Sequence, residues 1–212
     1  MEEKTAIIKN WLGSGSINVF GLPYSGKDTV GIKLAEILGA RFLSSGLILR
    51  DAEKNDRDLG AELNRGALAP SNKFRDIVLP YFSRPDLTKF PLILSSVGRW
   101  TGEEAPTIEA AAAGGHPIKA IILLNVSEAD IKIRWDAARV LQDRGQRGDD
   151  KEVKILDTRV DEFRNKTMPV IQRYHAMGIL IPVNADQAKE AVLNETLSKL
   201  AEFAINHVST SQ

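Results

Sequence analysis

Short apolar runs alternate along the chain with longer segments of helical periodicity. Five apolar runs predict buried strands, at about residues 17–20, 42–43, 91–94, 118–124 and 179–183. Segments with apolar residues three or four apart predict helices, at about residues 3–12, 28–38, 46–54, 57–65, 71–82, 127–144, 151–176 and 187–206. Because strands alternate with helices, the pattern predicts an α/β fold built on a doubly wound, five-stranded parallel sheet.

The length of 212 residues fits one α/β domain with a small insertion better than two domains. The first predicted helix carries apolar Ile8, Trp11 and Leu12 at helical spacing, so we expect it to pack on the core. Residues 13–16 read GSGS and predict a hinge. Residues 1–16 are therefore interpreted as an N-terminal helix and hinge ahead of the domain.

Charge and composition exclude several classes of protein. The 28 basic side chains are balanced by 28 acidic ones, whereas a dedicated nucleic-acid-binding protein usually has a basic excess. The chain has no cysteine, which excludes a disulfide scaffold and a cysteine-ligated zinc site. It has neither an apolar run of about 18 residues nor the basic start of a signal peptide. We therefore expect a cytoplasmic protein that contacts neither nucleic acid nor membrane.

A phosphate-binding pattern stands between the first predicted strand and the helix that follows. Residues 21–27 read GLPYSGK and fit G-x-x-x-x-G-K. The glycines let the backbone wrap a phosphate with several N–H groups pointing inward, and the helix N-terminus adds positive charge. Lys27 can reach the outer phosphates of a nucleotide. The sequence therefore predicts an ATP-binding loop at Gly21–Thr29.

The residue after the lysine departs from the usual pattern. A serine or threonine normally follows, whereas this chain has Asp28 and then Thr29. Thr29 can still supply a hydroxyl and a backbone N–H. Asp28 stands near the place of a magnesium ligand, acting directly or through water, and it is equally typical of an acidic first-turn residue favoured by the helix dipole. The sequence leaves both interpretations open.

This loop and several later motifs resemble the nucleoside monophosphate kinases, in particular the adenylate kinases with a short lid. In the loop GLPYSGKDT, the lysine is followed by one residue and then threonine, as in that family. Further similar segments follow in the family's order, namely LSSGLILR at 43–50, GALAP at 66–70, SVGR at 96–99, RGDD at 147–150 with Arg159, and TMP at 167–169. The resemblance covers residues 17–206 and implies a P-loop kinase domain with an acceptor-binding insertion at 45–82 and a short lid at 140–152.

The resemblance implies a role for individual residues of this chain. The implied catalytic cations are Lys27, Arg99, Arg147 and Arg159. The implied ATP contacts are Gly21, Pro23, Tyr24, Ser25, Gly26, Lys27, Asp28, Thr29, Arg139 and Arg144. The implied acceptor contacts are Ser44, Ser45, Gly46, Arg50, Leu68, Arg99 and Glu103. One arginine of Arg134, Arg139 and Arg144 is expected to stack on the donor adenine.

The implied activity is the transfer of the γ-phosphate of ATP, bound with Mg²⁺, to a nucleoside monophosphate. AMP is the expected acceptor, and UMP or CMP is the alternative. The protein is expected to be a monomer. Two departures from the family favour another class of protein, a nucleotide-binding regulator that has lost turnover. Leu47 and Ser95 stand where the family has aspartates that hold magnesium-bound water. Asp28 and the retained arginines favour the enzyme. A kinase of another small acceptor is a further possibility within the enzyme class.

Overall fold

A computed structural model describes residues 2–141 and 153–209 of the chain. Its five strands form one sheet in the order β2-β3-β1-β4-β5, and every neighbouring pair is parallel. The strands are β1 Ser16–Gly21, β2 Arg41–Ser44, β3 Leu92–Ser95, β4 Ile118–Asn125 and β5 Leu180–Asn184. The predicted doubly wound, five-stranded parallel sheet is therefore confirmed.

Helices connect the strands and cover both faces of the sheet. They are α1 Glu2–Leu12, α2 Lys27–Leu38, α3 Ser45–Ala52, α4 Arg57–Asn64, α5 Ser71–Ile77, α6 Glu104–Ala113, α7 Glu128–Leu141, α8 Val153–Glu162, α9 Met168–Ala176 and α10 Lys189–Ser209. Short 3₁₀ turns at Glu53–Asn55 and Leu79–Ser83 follow α3 and α5, so the helix predicted at 71–82 is broken before its end. Helix α6 is an addition to the predicted elements.

A separate apolar core holds the segment between β2 and β3 on the sheet. Phe74 of α5 and Phe82 of the second 3₁₀ turn are buried against Leu92 and Leu94 of β3. Burying an aromatic side chain of this size contributes roughly 1.5–3 kcal/mol relative to leaving it exposed. The insertion is therefore packed on the sheet, where its first helix faces the carboxyl end of β3.

The N-terminal helix packs against the last helix of the chain. Ile8 and Leu12 of α1 are buried, and the ring of Trp11 meets that of Phe203 of α10 edge to face at 5.7 Å between centroids. The ammonium of Lys119 donates to the Trp11 carbonyl at 2.5 Å and so ties the end of α1 to β4. In the described residues, no helix is both long and apolar enough to cross a membrane.

The carboxyl ends of three neighbouring strands lie side by side at one edge of the sheet. They end at Gly21 of β1, Ser44 of β2 and Ser95 of β3. In open parallel sheets, ligands bind at this edge, in the crevice where strand order reverses. The order β2-β3-β1-β4-β5 reverses at β1, so the phosphate-binding pattern after β1 lies where the fold favours a site.

Candidate active site

The loop between β1 and α2 has the tight backbone that its glycines predict. Tyr24 and Gly26 have left-handed backbone angles, with φ of 61° and 89°. A Cβ atom on Gly21 would lie 2.5 Å from the Oγ of Ser25, so only glycine fits where the strand enters the loop. The Oγ of Ser25 is buried and has no hydrogen-bond partner among the described atoms. The loop thus forms a compact polar cradle at the positive end of α2.

Two basic side chains contact this loop from within the protein. The ammonium of Lys27 lies 3.4 Å from the Leu22 carbonyl, across the loop from its own backbone. Arg134 of α7 donates to the Ser25 carbonyl at 3.4 Å and also to the Ala185 carbonyl after β5. Arg134 therefore fixes the loop to the β5 side of the sheet. Arg139, the predicted ATP contact, instead stacks its guanidinium on the Trp135 ring at 4.5 Å.

One cleft brings together most of the predicted site residues. It runs between the phosphate loop and the acceptor insertion, and its walls include Gly21, Pro23, Lys27, Asp28, Ser44, Ser45, Gly46, Arg50, Leu68, Arg99 and Arg159. Other predicted residues are outside the lining of this cleft, namely Tyr24, Ser25, Gly26, Thr29, Glu103 and Arg139. Arg144, Arg147 and most of the predicted lid at 140–152 lie outside the described residues.

Three arginines crowd the floor of the cleft. The pKa of Arg99 is lowered to about 10, first by desolvation and then by the charges of Arg159 and Arg50, which outweigh the opposing effect of Glu103 and Glu162. Like charges at short range destabilise one another, so this arrangement is costly while no anion is present. A bound phosphate relieves that cost because planar guanidinium groups grip its oxygens in pairs. The cluster therefore favours a phosphate-bearing ligand.

Serine hydroxyls shape the acceptor wall of the cleft. The Oγ of Ser44 caps α3 by accepting a hydrogen bond from the Leu47 amide at 3.4 Å. The Oγ of Ser45 donates to the Ser96 carbonyl at 2.7 Å and joins the start of α3 to the turn after β3. These bonds fix the helix that presents Arg50 to the cleft.

A polar residue inside the central strand orients the turn that carries Arg99. The amide of Asn18 donates to the Val97 carbonyl at 2.8 Å and accepts from the Val97 amide at 3.3 Å. Buried polar groups need such partners, and here both are backbone groups of the turn. The signal for Asn18 was available in the sequence, because asparagine interrupts the apolar run SINVF.

The connection between α8 and α9 is wound more widely than an α-helix. Residues Phe163–Thr167 form a π-helical turn, a conformation that is frequent at functional sites. Phe163 and buried Thr167 both line the cleft, and Glu162 just before them accepts from the Leu68 amide at 3.1 Å. Arg159, one turn earlier, places its guanidinium 5.7 Å from the Tyr24 ring centre. The last turn of α8, just before the widened turn, thus connects the acceptor loop with the phosphate loop.

The carboxylate of Glu103 is held by protein groups instead of facing the cleft. It accepts from the Ser71 hydroxyl at 2.9 Å and from the Trp100 amide at 3.1 Å. Burial raises its pKa above the ordinary value, against the lowering effect of these hydrogen bonds and of Arg99. Glu103 therefore lies behind Arg99 and joins α5 to the core. The sequence predicted that Glu103 contacts the acceptor, whereas in the structure its carboxylate links α5 to the segment before α6.

Asp28 and Ser95 meet at the bottom of the cleft. The Ser95 hydroxyl, at the end of β3, donates to the Asp28 carboxylate at 2.5 Å. Ser95 is buried, whereas Asp28 is half-buried and lines the cleft beside Lys27. Leu47 lines the same cleft with 48% of its surface exposed. Asp28, Ser95 and Leu47 all depart from the usual pattern of residues. Asp28 and Ser95 contact each other, and Leu47 lines the same cleft.

Comparison with known proteins agrees with this geometry. No family model matches the chain. The adenylate kinase of Mycobacterium sp. (strain MCS) is 32% identical over 164 residues, covering 76% of this chain and 86% of that protein. The adenylate kinase of Synechococcus sp. (strain WH7803) is 32% identical over 193 residues, covering 85% of this chain and 96% of that protein.

The structure of a gluconokinase from Sinorhizobium meliloti 1021 superimposes on this chain with a TM-score of 0.63. The superposition covers 94% of this chain and 99% of the gluconokinase, and at 21% identity it shows a likeness of fold. With its phosphate loop, arginine-lined cleft and these relatives, the chain belongs to the adenylate kinase family.

Proposed function

We propose that this protein transfers the γ-phosphate of ATP to AMP or a related nucleoside monophosphate and forms two nucleoside diphosphates. The observation that carries the proposal is the convergence of Lys27, Arg50, Arg99 and Arg159 on one cleft. The phosphate loop forms one wall of that cleft and the acceptor insertion forms the other. A donor and an acceptor phosphate placed on these walls would face each other.

Phosphoryl transfer needs in-line placement and positive charge more than covalent chemistry from the protein. An oxygen of the acceptor phosphate attacks the γ-phosphorus, the bond to the β,γ-bridging oxygen breaks, and ADP leaves. Lys27 holds the outer phosphates of ATP, Arg50 and Arg99 hold the acceptor phosphate, and Arg159 stabilises charge on the group in transit. Arg147 and Arg144, in the predicted lid, add positive charge and help to exclude water in this proposal.

The residues of the cleft suit ATP in its magnesium complex. Asp28 and Ser95 offer a carboxylate and a hydroxyl beside the phosphate loop, and oxygen is the ligand atom that magnesium prefers. If bound there with ATP, magnesium would supply positive charge that offsets the charge of the phosphates. Asp28 is the residue of this chain that would hold the ion, with Ser95 behind it.

AMP is the first acceptor to test because both relatives reported above are adenylate kinases. A coupled assay of ADP formation with AMP, UMP, CMP, GMP and dTMP, and with gluconate as a non-nucleotide control, tests the proposal. We expect ADP formation with AMP at a rate well above ATP hydrolysis alone. ADP formation with gluconate but with none of the nucleoside monophosphates would contradict the proposed function. A cytoplasmic location and a monomeric state are part of the proposal, and light scattering measures the latter.

A nucleotide-binding homologue without turnover is the second candidate, and Leu47 favours it. An apolar side chain faces the cleft where the family resemblance predicts a carboxylate. In that case calorimetry detects ATP binding, while no acceptor supports ADP formation. The assay and the titration together separate the two functions.

A further inference from the structure

The carboxylate of Glu162 joins the acceptor wall of the cleft to the last turn of α8. Glu162 is the final residue of that helix, and its Oε2 accepts from the Leu68 amide at 3.1 Å. The same oxygen lies 2.7 Å from the Lys166 ammonium, and only 18% of the Glu162 side chain and 27% of the Lys166 side chain are exposed. Charge-assisted bonds that are partly shielded from water hold their partners more firmly than exposed ones.

Lys166 extends this junction to the turn that carries Arg99. Its ammonium lies 3.9 Å from the centre of the Trp100 ring, and its backbone carbonyl accepts from the Thr101 hydroxyl at 3.5 Å. Trp100 directly follows Arg99 in the sequence. A cation above an indole ring is attracted by the negative face of the ring. The pair of Glu162 and Lys166 therefore connects the acceptor wall with the segment of Arg99.

The acceptor loop, residues 66–70, also touches α8 with its backbone. Gly66 has a φ of 81°, and a Cβ atom on it would lie 2.9 Å from the Ile155 carbonyl oxygen and 3.1 Å from the Cγ of Arg159. Only glycine lets the loop pass so close to the helix. The loop thus meets α8 beside Arg159 as well as at Glu162.

These contacts fix the spacing between the acceptor wall and Arg159. Leu68 and Arg159 both line the cleft, and Glu162 holds the backbone of the first and shares a helix with the second. Phosphoryl transfer depends on in-line placement, and a displacement of about 1 Å can cost a factor of about 100 in rate. Without the Glu162 bond, the loop could move away from the helix while the phosphate loop, which belongs to another segment, stays in place.

We propose that Glu162 is a positioning residue for the acceptor, whose hydrogen bond with the Leu68 amide sets the acceptor wall at its working distance from Arg159. This inference rests on the proposed transfer of phosphate to a nucleoside monophosphate. Glu162 itself touches no substrate in this role and acts through the loop that it holds. Removal of its carboxyl group therefore weakens use of the acceptor and leaves ATP binding unchanged.

Steady-state kinetics and calorimetry test this role in the intact chain. The acceptor varied is the nucleoside monophosphate that supports the fastest ADP formation by the wild type, and calorimetry measures binding of ATP alone. In Glu162→Ala we expect kcat/KM for the acceptor to fall at least about tenfold, while the dissociation constant of ATP stays within about twofold. Asp161→Ala is the matched control, because Asp161 is the preceding carboxylate of α8 and pairs with Arg164 at the surface at 3.6 Å. It should match the wild type in both measurements.

Two conservative variants separate the hydrogen bond from the charge. Glu162→Gln keeps an oxygen that can accept from the Leu68 amide and loses the charge, whereas Glu162→Asp keeps the charge on a side chain that is one carbon shorter. We expect kcat/KM for the acceptor in Glu162→Gln to stay at least about threefold above that of Glu162→Ala, because a neutral hydrogen bond remains. Glu162→Asp should fall close to Glu162→Ala. The opposite order would show that Glu162 acts through its charge on the neighbouring arginines, and it would overturn the inference.

Thermal unfolding shows whether each variant is folded, and Glu162→Asp carries the test if Glu162→Ala is not. If the wild type forms ADP with an acceptor but Glu162→Ala and Glu162→Asp keep its kcat/KM, the inference is overturned. An equal loss of ATP affinity also overturns it, because a general disturbance of the fold then accounts for the effect. Absence of ADP formation by the wild type with every nucleoside monophosphate overturns the proposed function itself, and the inference with it.

Discussion

The Ser71 hydroxyl donates a hydrogen bond of 2.9 Å to the buried Glu103 carboxylate. Ser71 begins α5 of the acceptor insertion, and Glu103 directly precedes α6 of the core. A second carboxylate acts in parallel, because Glu162 accepts from the Leu68 amide at 3.1 Å. Two acidic residues, one before α6 and one at the end of α8, therefore hold the loop after α4 and the first residue of α5.

Burial of Glu103 is expected to make stability depend on pH. Its folded pKa lies above the ordinary value of 4.5, so the folded protein retains this proton more readily than the unfolded chain does. Its contribution to the free energy of unfolding is therefore complete below about pH 4.5 and is lost as pH rises through the raised value. Glu103→Gln, which cannot ionise, is expected to lack this decline.

Urea unfolding of the wild type and Glu103→Gln between pH 4 and 7 measures the effect. The difference in free energy of unfolding should move in favour of the variant as pH rises. Glu109→Gln, on an exposed part of α6, is the control for loss of a surface carboxylate. If the difference in free energy of unfolding between the wild type and Glu103→Gln stays constant from pH 4 to 7, the Glu103 carboxyl ionises as easily in the folded protein as in the unfolded chain.

Removal of the Lys27 ammonium is expected to weaken ATP binding at least about tenfold. A charge-assisted hydrogen bond is worth about 1.5–3 kcal/mol, and each 1.4 kcal/mol is a factor of about ten in affinity. Titration calorimetry of Lys27→Ala measures it. Lys33→Ala is the matched control, because Lys33 lies on the same helix and pairs with Glu36 at the surface at 2.7 Å. Equal ATP affinity in Lys27→Ala and the wild type would contradict the role of the loop.

Loss of either acceptor arginine is expected to reduce kcat/KM for the nucleoside monophosphate by at least about tenfold. Arg50 and Arg99 would each lose a charge-assisted contact with the acceptor phosphate. Steady-state kinetics of Arg50→Ala and Arg99→Ala, with the acceptor concentration varied, measure the loss. Arg65→Ala removes an exposed arginine that pairs with Glu62 at the end of α4, and it should match the wild type. If all three variants match the wild type, the acceptor phosphate binds elsewhere.

A carboxylate at position 47 is expected to lower the magnesium concentration that gives half-maximal turnover. Leu47 lies in the first turn of α3 and faces the cleft, where an acidic residue is favoured by the helix dipole and adds an oxygen near the phosphates. ADP formation across a magnesium series measures the shift in Leu47→Asp. Leu47→Asn has nearly the same shape without the charge. The same magnesium dependence in both variants would show that the carboxylate has no effect there.

Local pattern was enough to predict the strands and most helices, because most residues of the apolar runs are buried, and β1 and β3 are buried along their whole length. Helix α6 is different, since its sequence EAPTIEAAAA is rich in alanine and has no apolar stripe of helical period. It is held by Thr107 and Ala111, which are small and buried. Small residues pack closely without the large apolar side chains on which sequence patterns depend.

The candidate site was predictable where a motif is continuous in sequence and less so where it depends on tertiary contact. The phosphate loop carries its geometry in consecutive residues. The contact between Asp28 and Ser95 depends on strand register, so the sequence presents Ser95 only as the loss of a carboxylate. Arg134 and Arg139 differ by little more than one helical turn, yet Arg134 meets the phosphate loop and Arg139 meets Trp135.

The position of β1 in the middle of the sheet has a consequence for synthesis. This strand leaves the ribosome before its two neighbours, β3 and β4, which are made much later. At about 5–20 residues per second, roughly 4–15 s pass between the synthesis of Gly21 and that of Ser95. Throughout that interval the backbone N–H and C=O groups at both edges of β1 have no native strand to pair with, and pairing over such a distance is slow. Nascent chains stalled before β3 are therefore expected to bind chaperones, whereas chains stalled well beyond β4 can form the centre of the sheet.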